Sequence, residues 1–222
     1  DRETATRMLA SLGLNELSIT DPVLRKELGQ EEIVFLGAAD SQYLCLTHDP
    51  LDPVAERNFE ATLRKMAKPI LKGKEANPPL VRIKMGDEIG AVAGAAAING
   101  LETCRKAFHD YLRARLKERG ADASYYGVAD VDDLPYLGAV PGRAGLHERR
   151  LFYDCARFNF VLTAMYYGQL TRAAERVFPR VQTYCNFSPH PPMFGGHMNG
   201  SDWFALTRGG GANMAWGEDW AG

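Results

Sequence analysis

Strand-like runs alternate with longer segments whose apolar residues recur on one helical side, and this alternation limits the possible folds more than any other feature. Ile33–Ala38 reads Ile-Val-Phe-Leu-Gly-Ala, a continuous apolar run as expected for a strand buried on both faces. Leu80–Met85 and Val181–Asn186 are the next strands. Between them, residues 54–71 place Phe59, Leu63, Met66 and Ile70 at helical spacing, and Asn77-Pro78-Pro79 breaks the chain afterwards. Residues 101–119 put Leu101, Cys104, Phe108, Leu112 and Leu116 on one face, closed by Gly120. Residues 148–178 carry Leu151, Cys155, Phe158, Leu162, Met165, Gln169 and Ala173 along one side, and Pro179 ends that pattern. Strands separated by helices imply βαβ units and a parallel sheet.

Residues 3–12 and 202–208 also read as helices. Leu14–Ile19, Ser124–Val128 and Ala212–Trp216 are three further strand candidates, which brings the expected count to about six βα units.

Composition removes several function classes. The chain has 222 residues, 45% of them hydrophobic and 24% charged, which excludes a disordered tail and a coiled coil. Its 26 basic and 28 acidic residues leave a net charge of -2, so no global field favours nucleic acid or an anionic membrane. No segment approaches the roughly 18 unbroken apolar residues of a membrane span. Cys45, Cys104, Cys155 and Cys185 form no CxxC unit and read as buried, small apolar residues. The Rossmann fingerprint, the P-loop and the GxSxG elbow are absent. Gly209-Gly210-Gly211 precedes a strand candidate instead of following one, so it reads as a helix stop and turn. Lys65, Lys68, Lys72 and Lys74 read as a solvated helix end, and His48-Asp49-Pro50 as a turn.

Reactive groups of parallel α/β folds collect at the C-terminal ends of strands. Asp40 follows the first strand, Gly86-Asp87-Glu88 follows Leu80–Met85, and Asn186 with its proline- and glycine-rich loop follows Val181–Cys185. Gly217-Glu218-Asp219-Trp220 follows Ala212–Trp216. A carboxylate set just past a buried strand is partly desolvated, which favours its protonated form and suits acid work. Two such carboxylates facing one cavity are the minimum equipment for glycosidic-bond hydrolysis. Trp216 and Trp220 flank the second pair, and aromatic rings stack on the apolar faces of sugars. The bland alternatives are helix N-caps for the acidic residues and core positions for the tryptophans.

The segment VRIKMGDEIG resembles the fourth-strand region of clan A glycoside hydrolases, which are TIM barrels. The segments KAFHDYLRARL and LFYDCARFNFVLTAMYYGQLTRAAERVFPRVQTYCNFSP are similar to family 42 β-galactosidases and their relatives, with Arg157-Phe158 and Thr183…Asn186-Phe187 in the corresponding places. The likeness covers residues 80–222. It departs from the family at Asp87, where an asparagine precedes the acid/base glutamate.

The resemblance implies a TIM-type (β/α) barrel, incomplete in this chain because a full barrel needs about 250 residues. Residues 1–222 would then form a single barrel domain or a segment of one, continued in a longer polypeptide or completed in a homo-oligomer. The implied activity is a retaining glycoside hydrolase acting on a carbohydrate, with no cofactor and no metal. Glu88 is the expected acid/base and Glu218 the expected nucleophile. Asp87, Asn186, His190, His197, Asp202, Trp216, Asp219 and Trp220 are the expected substrate contacts. The role of Glu218 depends on counting Ser124–Val128 as a strand; without it, the nucleophile falls beyond Gly222. Two other readings stand beside this one. His190, His197, Asp202 and Glu218 could serve a metal-dependent hydrolase or isomerase on the same barrel, or the protein could bind carbohydrate or assemble without catalysis.

Overall fold

Three of the strand candidates form a parallel sheet: β1 (Ile33–Gly37), β2 (Leu80–Gly86) and β3 (Val181–Cys185), ordered β1-β2-β3. These come from a computed structural model that describes residues 2–12, 22–29, 31–37, 49–86, 89–186 and 203–214. Register runs Val34–Val81–Val181 and Phe35–Arg82–Gln182 across the sheet. Strand alternation sends Val81, Ile83 and Met85 to one face, where all three are fully buried. The other face carries Arg82, whose Nε donates to Gln182 Oε1 at 2.8 Å and whose guanidinium lies 5.9 Å from the Phe35 ring centre.

Helices supply the rest of the described fold. α1 (Arg2–Ser11) and α2 (Pro22–Glu27) precede the sheet, and Arg7 joins them by bonding both Glu3 and Glu27. α3 (Pro53–Leu71) connects β1 to β2 and starts at Asp52, whose carboxylate accepts from the Val54 amide. α4 (Ala95–Gly100) and α5 (Glu102–Arg119) follow β2. The 32-residue α6 (Leu146–Val177) leads into β3, and α7 (Trp203–Arg208) comes last. α5 stops at Gly120 in the left-handed conformation, φ 63°, which glycine adopts without steric cost. Leu63 and Ala67 of α3 and Leu170 and Ala174 of α6 share one apolar core with Val81, Ile83 and Met85. Arg176 of α6 reaches Glu56 and Glu60 of α3 across the same seam.

The expected barrel of about six βα units is not formed. Only three strands are present among the described residues. Ser124–Val128, expected as a strand, is a 3-10 turn over Ala123–Tyr126. Local chemistry explains this: the Asp122 carboxylate accepts from both the Ser124 amide and its hydroxyl, and Gly127 ends the turn at φ 79°. Leu14–Ile19 lies outside the described residues, as do residues 215 and 216 of the last candidate.

Residues 212–214 do run beside the outer edge of β3, but not as a strand. The Asn213 and Met214 amides donate to the Thr183 carbonyl at 3.3 and 3.1 Å. The Asn213 side-chain oxygen accepts from the Thr183 amide at 2.7 Å, and its Nδ2 donates to the Val181 carbonyl at 3.3 Å. One asparagine side chain thus takes the place of a neighbouring backbone. Thr183 Oγ1 also lies 2.9 Å from Thr171 Oγ1 of α6.

The junction of α5, the 3-10 turn and α6 is organised by a buried carboxylate. Asp154 is fully buried. Arg119 donates to it through two nitrogens at 2.8 and 2.9 Å, and the Tyr126 hydroxyl donates at 2.8 Å. Arg115 Nε lies 3.5 Å away. Burial, then the bond to Asp154, pushes the Tyr126 phenol well above the usual tyrosine range. Arg119 and Arg150 both stack on Tyr125, at 5.1 and 4.2 Å from its ring centre.

Two outcomes follow from these contacts. Arg119→Ala leaves the Asp154 charge buried without its main partner and should cost about 3–5 kcal/mol in urea unfolding. The Arg119→Ala/Asp154→Ala pair should cost less than the sum of the single changes. The described cysteines, Cys104, Cys155 and Cys185, are all free and buried. Burial pushes the Cys104 and Cys155 thiols up to about 12, Asp49 adding to the effect at Cys104, and burial raises Cys185 as well. Raised thiols hold less thiolate, so iodoacetamide at pH 8 should leave all three unmodified in the native protein and modify them in urea.

Candidate functional site

The C-terminal edge of the sheet is where the described residues bring buried polar groups together. β2 ends with an irregularity: its ladder to β3 pairs Lys84 with Tyr184 but Gly86 with Cys185, so one extra residue is accommodated at Met85. Such a bulge bends its strand and re-aims the side chains that follow. Asn186, the residue after β3, locks this end of β2 through its main chain. Its amide donates to the Gly86 carbonyl at 2.9 Å, and its carbonyl accepts from the Ile89 amide at 3.4 Å. Asn186 is itself 1% exposed.

Asn186 is therefore the expected site residue that the structure places, beside both residues that flank Asp87-Glu88. The remaining expected residues, Asp87, Glu88, His190, His197, Asp202, Trp216, Glu218, Asp219 and Trp220, lie outside the described residues. Among the described residues no cluster of three or more His, Cys, Asp or Glu side chains could hold a metal ion. The proposed His190, His197, Asp202 and Glu218 set is not among them.

α6 contributes the polar groups that the sequence reading missed. Asn159, Thr163 and Tyr167 are spaced four residues apart, so they lie along one stripe of the helix. All three are buried. Tyr167 fixes the position of the stripe, because a Cβ added to Gly86 would sit 2.8 Å from the Tyr167 hydroxyl oxygen. Thr163 and Asn159 then follow at about 6 and 12 Å along the helix axis from Tyr167. The Thr163 hydroxyl is buried with no hydrogen-bond partner among the described residues, which marks this interior as unusually polar. The available signal was three polar residues at i, i+4 and i+8 in a helix otherwise rich in apolar residues. Tyr166 and Tyr167 are both buried, with rings 5.0 Å apart in an edge contact.

The other motifs have structural roles. Of the Arg157-Phe158 pair, Arg157 is exposed, whereas Phe158 is buried against Phe108 of α5 with ring centres 5.2 Å apart. Asp49 makes the turn expected of it, accepting from the Leu51 amide at 2.9 Å, and also accepts from the Thr103 hydroxyl at the start of α5. Lys65, Lys68 and Lys72 are exposed, and Lys74 pairs with Glu32 at 2.6 Å. Gly209 and Gly210 form the turn after α7. They pack closely on α6: a Cβ at Gly209 would meet Ala164 at 2.7 Å, and one at Gly168 would meet the Gly209 and Gly210 carbonyls. No helix among the described residues is long and apolar enough to cross a membrane.

No family model, no curated protein and no solved structure matches this chain.

Gly86 is the tightest point of the edge, since its added Cβ would also sit 2.5 Å from Ile89 Cγ2. Gly86→Ala should therefore destabilise the protein by about 1–3 kcal/mol in chemical unfolding. In a Tyr167→Phe background the loss should shrink by about 0.5 kcal/mol or more, because one of the two opposing atoms is gone.

Proposed function

We propose that the protein is a glycoside hydrolase that works at the C-terminal edge of its parallel sheet, with Glu88 as the acid/base. The observation that supports this most directly is the main-chain lock of Asn186 onto Gly86 and Ile89. It brings an amide-bearing residue beside the two ends of the Asp87-Glu88 segment, at the sheet edge where parallel α/β proteins bind ligands. The Arg157-Phe158 and Thr183…Asn186 likeness to family 42 β-galactosidases supports the same reading. A closed barrel is not required, since the chemistry needs only adjacent strand ends.

In a retaining reaction Glu88 donates a proton to the leaving oxygen while a second carboxylate attacks the anomeric carbon. The glycosidic C–O bond breaks as the glycosyl-enzyme bond forms. Glu88, now ionised, then takes a proton from water, and that water releases the sugar. Asn186 and Asp87 hold sugar hydroxyls. The 3-10 turn at Ala123–Tyr126 removes the strand count that assigned the nucleophile's role to Glu218. Glu88 thus carries the proposal, and Glu218 is tested as the second carboxylate.

Turnover of a panel of aryl and alkyl glycosides tests the proposal. Glu88→Gln should lower turnover of alkyl glycosides by roughly 10²–10⁴, with a smaller effect on aryl glycosides, whose leaving group needs little protonation. If Glu218 is the nucleophile, azide should restore turnover of Glu218→Ala and give a glycosyl azide of inverted configuration. A chelator should leave activity unchanged. Absence of turnover in the parent protein, or parent-level turnover in Glu88→Gln, would overturn the assignment.

A further inference from the structure

We infer that the loop leading into α6 is a processing site, where an arginine-directed serine protease cuts between Arg143 and Ala144 and leaves a folded protein of two chains. Such an enzyme needs a basic side chain for its specificity pocket and a stretch of chain around the bond that can leave the fold without unfolding the rest. All 26 lysines and arginines can be compared on both counts, because the segments outside the described residues contain neither. All but Lys72, Lys74, Arg143 and Arg180 lie in helices or strands.

Three of these four are tied down. Arg180 pairs with Glu31, and its carbonyl accepts from the Val81 amide of β2 at 2.9 Å. Lys74 pairs with Glu32 at 2.6 Å. Its amide donates to the Leu71 carbonyl at 2.9 Å, which closes the turn around Lys72, and its carbonyl accepts from the Asn77 amide at 3.1 Å. Arg143 is different. Residues 138–143 are all exposed, and a Cβ added to Gly142 would meet nothing within 4 Å. Among the described residues Arg143 has no hydrogen-bond or ion-pair partner. The bonds at the scissile peptide are the Ala144 amide on the Pro141 carbonyl at 3.0 Å and Arg149 Nε on the Ala144 carbonyl at 3.1 Å. Exposed loops of small residues are the preferred sites of nicking.

The loop can open without disturbing what precedes it. Asn99 grips the Tyr136 main chain with both side-chain atoms, at 2.8 and 3.0 Å, and the Leu137 amide donates to Cys155 Sγ at 3.2 Å. In the cut, water adds to the Arg143 carbonyl carbon, the C–N bond to Ala144 breaks, and a carboxylate and an ammonium are left. Residues 144–222 then hold α6 and β3 as a separate chain. β3 stays paired with β2, α6 stays packed with α3, and Asp154 keeps Arg119 and Tyr126 of the first chain.

Trypsin at low ratio on the native full chain, read by intact mass, is the test. The first products should be residues 1–143 and 144–222, co-eluting in size exclusion at the parent's volume and separating in urea. Arg143→Gln should lose full-length chain about tenfold more slowly or less. The urea midpoint of the cut protein should rise with protein concentration, because its refolding joins two chains, whereas that of the uncut protein should not. A first cut at any other lysine or arginine, parent-rate loss in Arg143→Gln, or fragments that elute apart without urea would overturn the inference.

Discussion

Burial of the β2 side chains Val81, Ile83 and Met85 under α3 and α6 is the contact on which the described structure depends. None of the three is exposed, and they share one apolar core with Leu63 and Ala67 of α3 and Leu170 and Ala174 of α6. α3 and α6 each lead directly into a strand, β2 and β3 respectively. Docking them on the sheet therefore also sets the parallel order and the register. Apolar burial of this kind is worth roughly 25 cal/mol per Å², which makes it the dominant favourable contribution in such a layer. The Arg176 pairs with Glu56 and Glu60 lie at the exposed margin of the same seam, where ion pairs add little.

The second organising contact is electrostatic. α5 and α6 meet through Phe108, Tyr111 and Phe158, but the 3-10 turn between them is held by Tyr126 and Arg119 on Asp154. A buried carboxylate is costly unless its oxygens are fully paired, and here three donors from two elements converge on it. The long overhang of α6 beyond the sheet is thereby secured at its N-terminal half. That same half carries the buried Asn159, and the buried Thr163 follows one turn further on.

The helices were readable from sequence because their apolar periodicity and their stops agreed. Residues 54–71, 101–119 and 148–178 correspond to Pro53–Leu71, Glu102–Arg119 and Leu146–Val177. The strands at 33–38, 80–85 and 181–186 were readable for the same reason. Ser124–Val128 was misread because its tyrosines and valine suit a strand, whereas the outcome depends on the Asp122 cap and a distant carboxylate, Asp154. The barrel expectation carried that misreading further, since it extended from strand count and resemblance to a closed architecture. At the site, Asn186 was legible from its position after a strand. Tyr167 was not, because a tyrosine in an amphipathic helix is usually core, and only the bare Gly86 opposite it shows where the hydroxyl goes.

Asn213 has a consequence for the protein's behaviour in company. An outer strand with free amides and carbonyls is a template on which another chain can add a strand, the first step of ordered aggregation. At Val181 and Thr183 that template is already occupied by one side chain and two amides. A side chain can satisfy these groups without offering a fresh edge of its own. At this stretch of β3 the edge is therefore taken up by Asn213 and Met214, and these groups offer no template to a further strand.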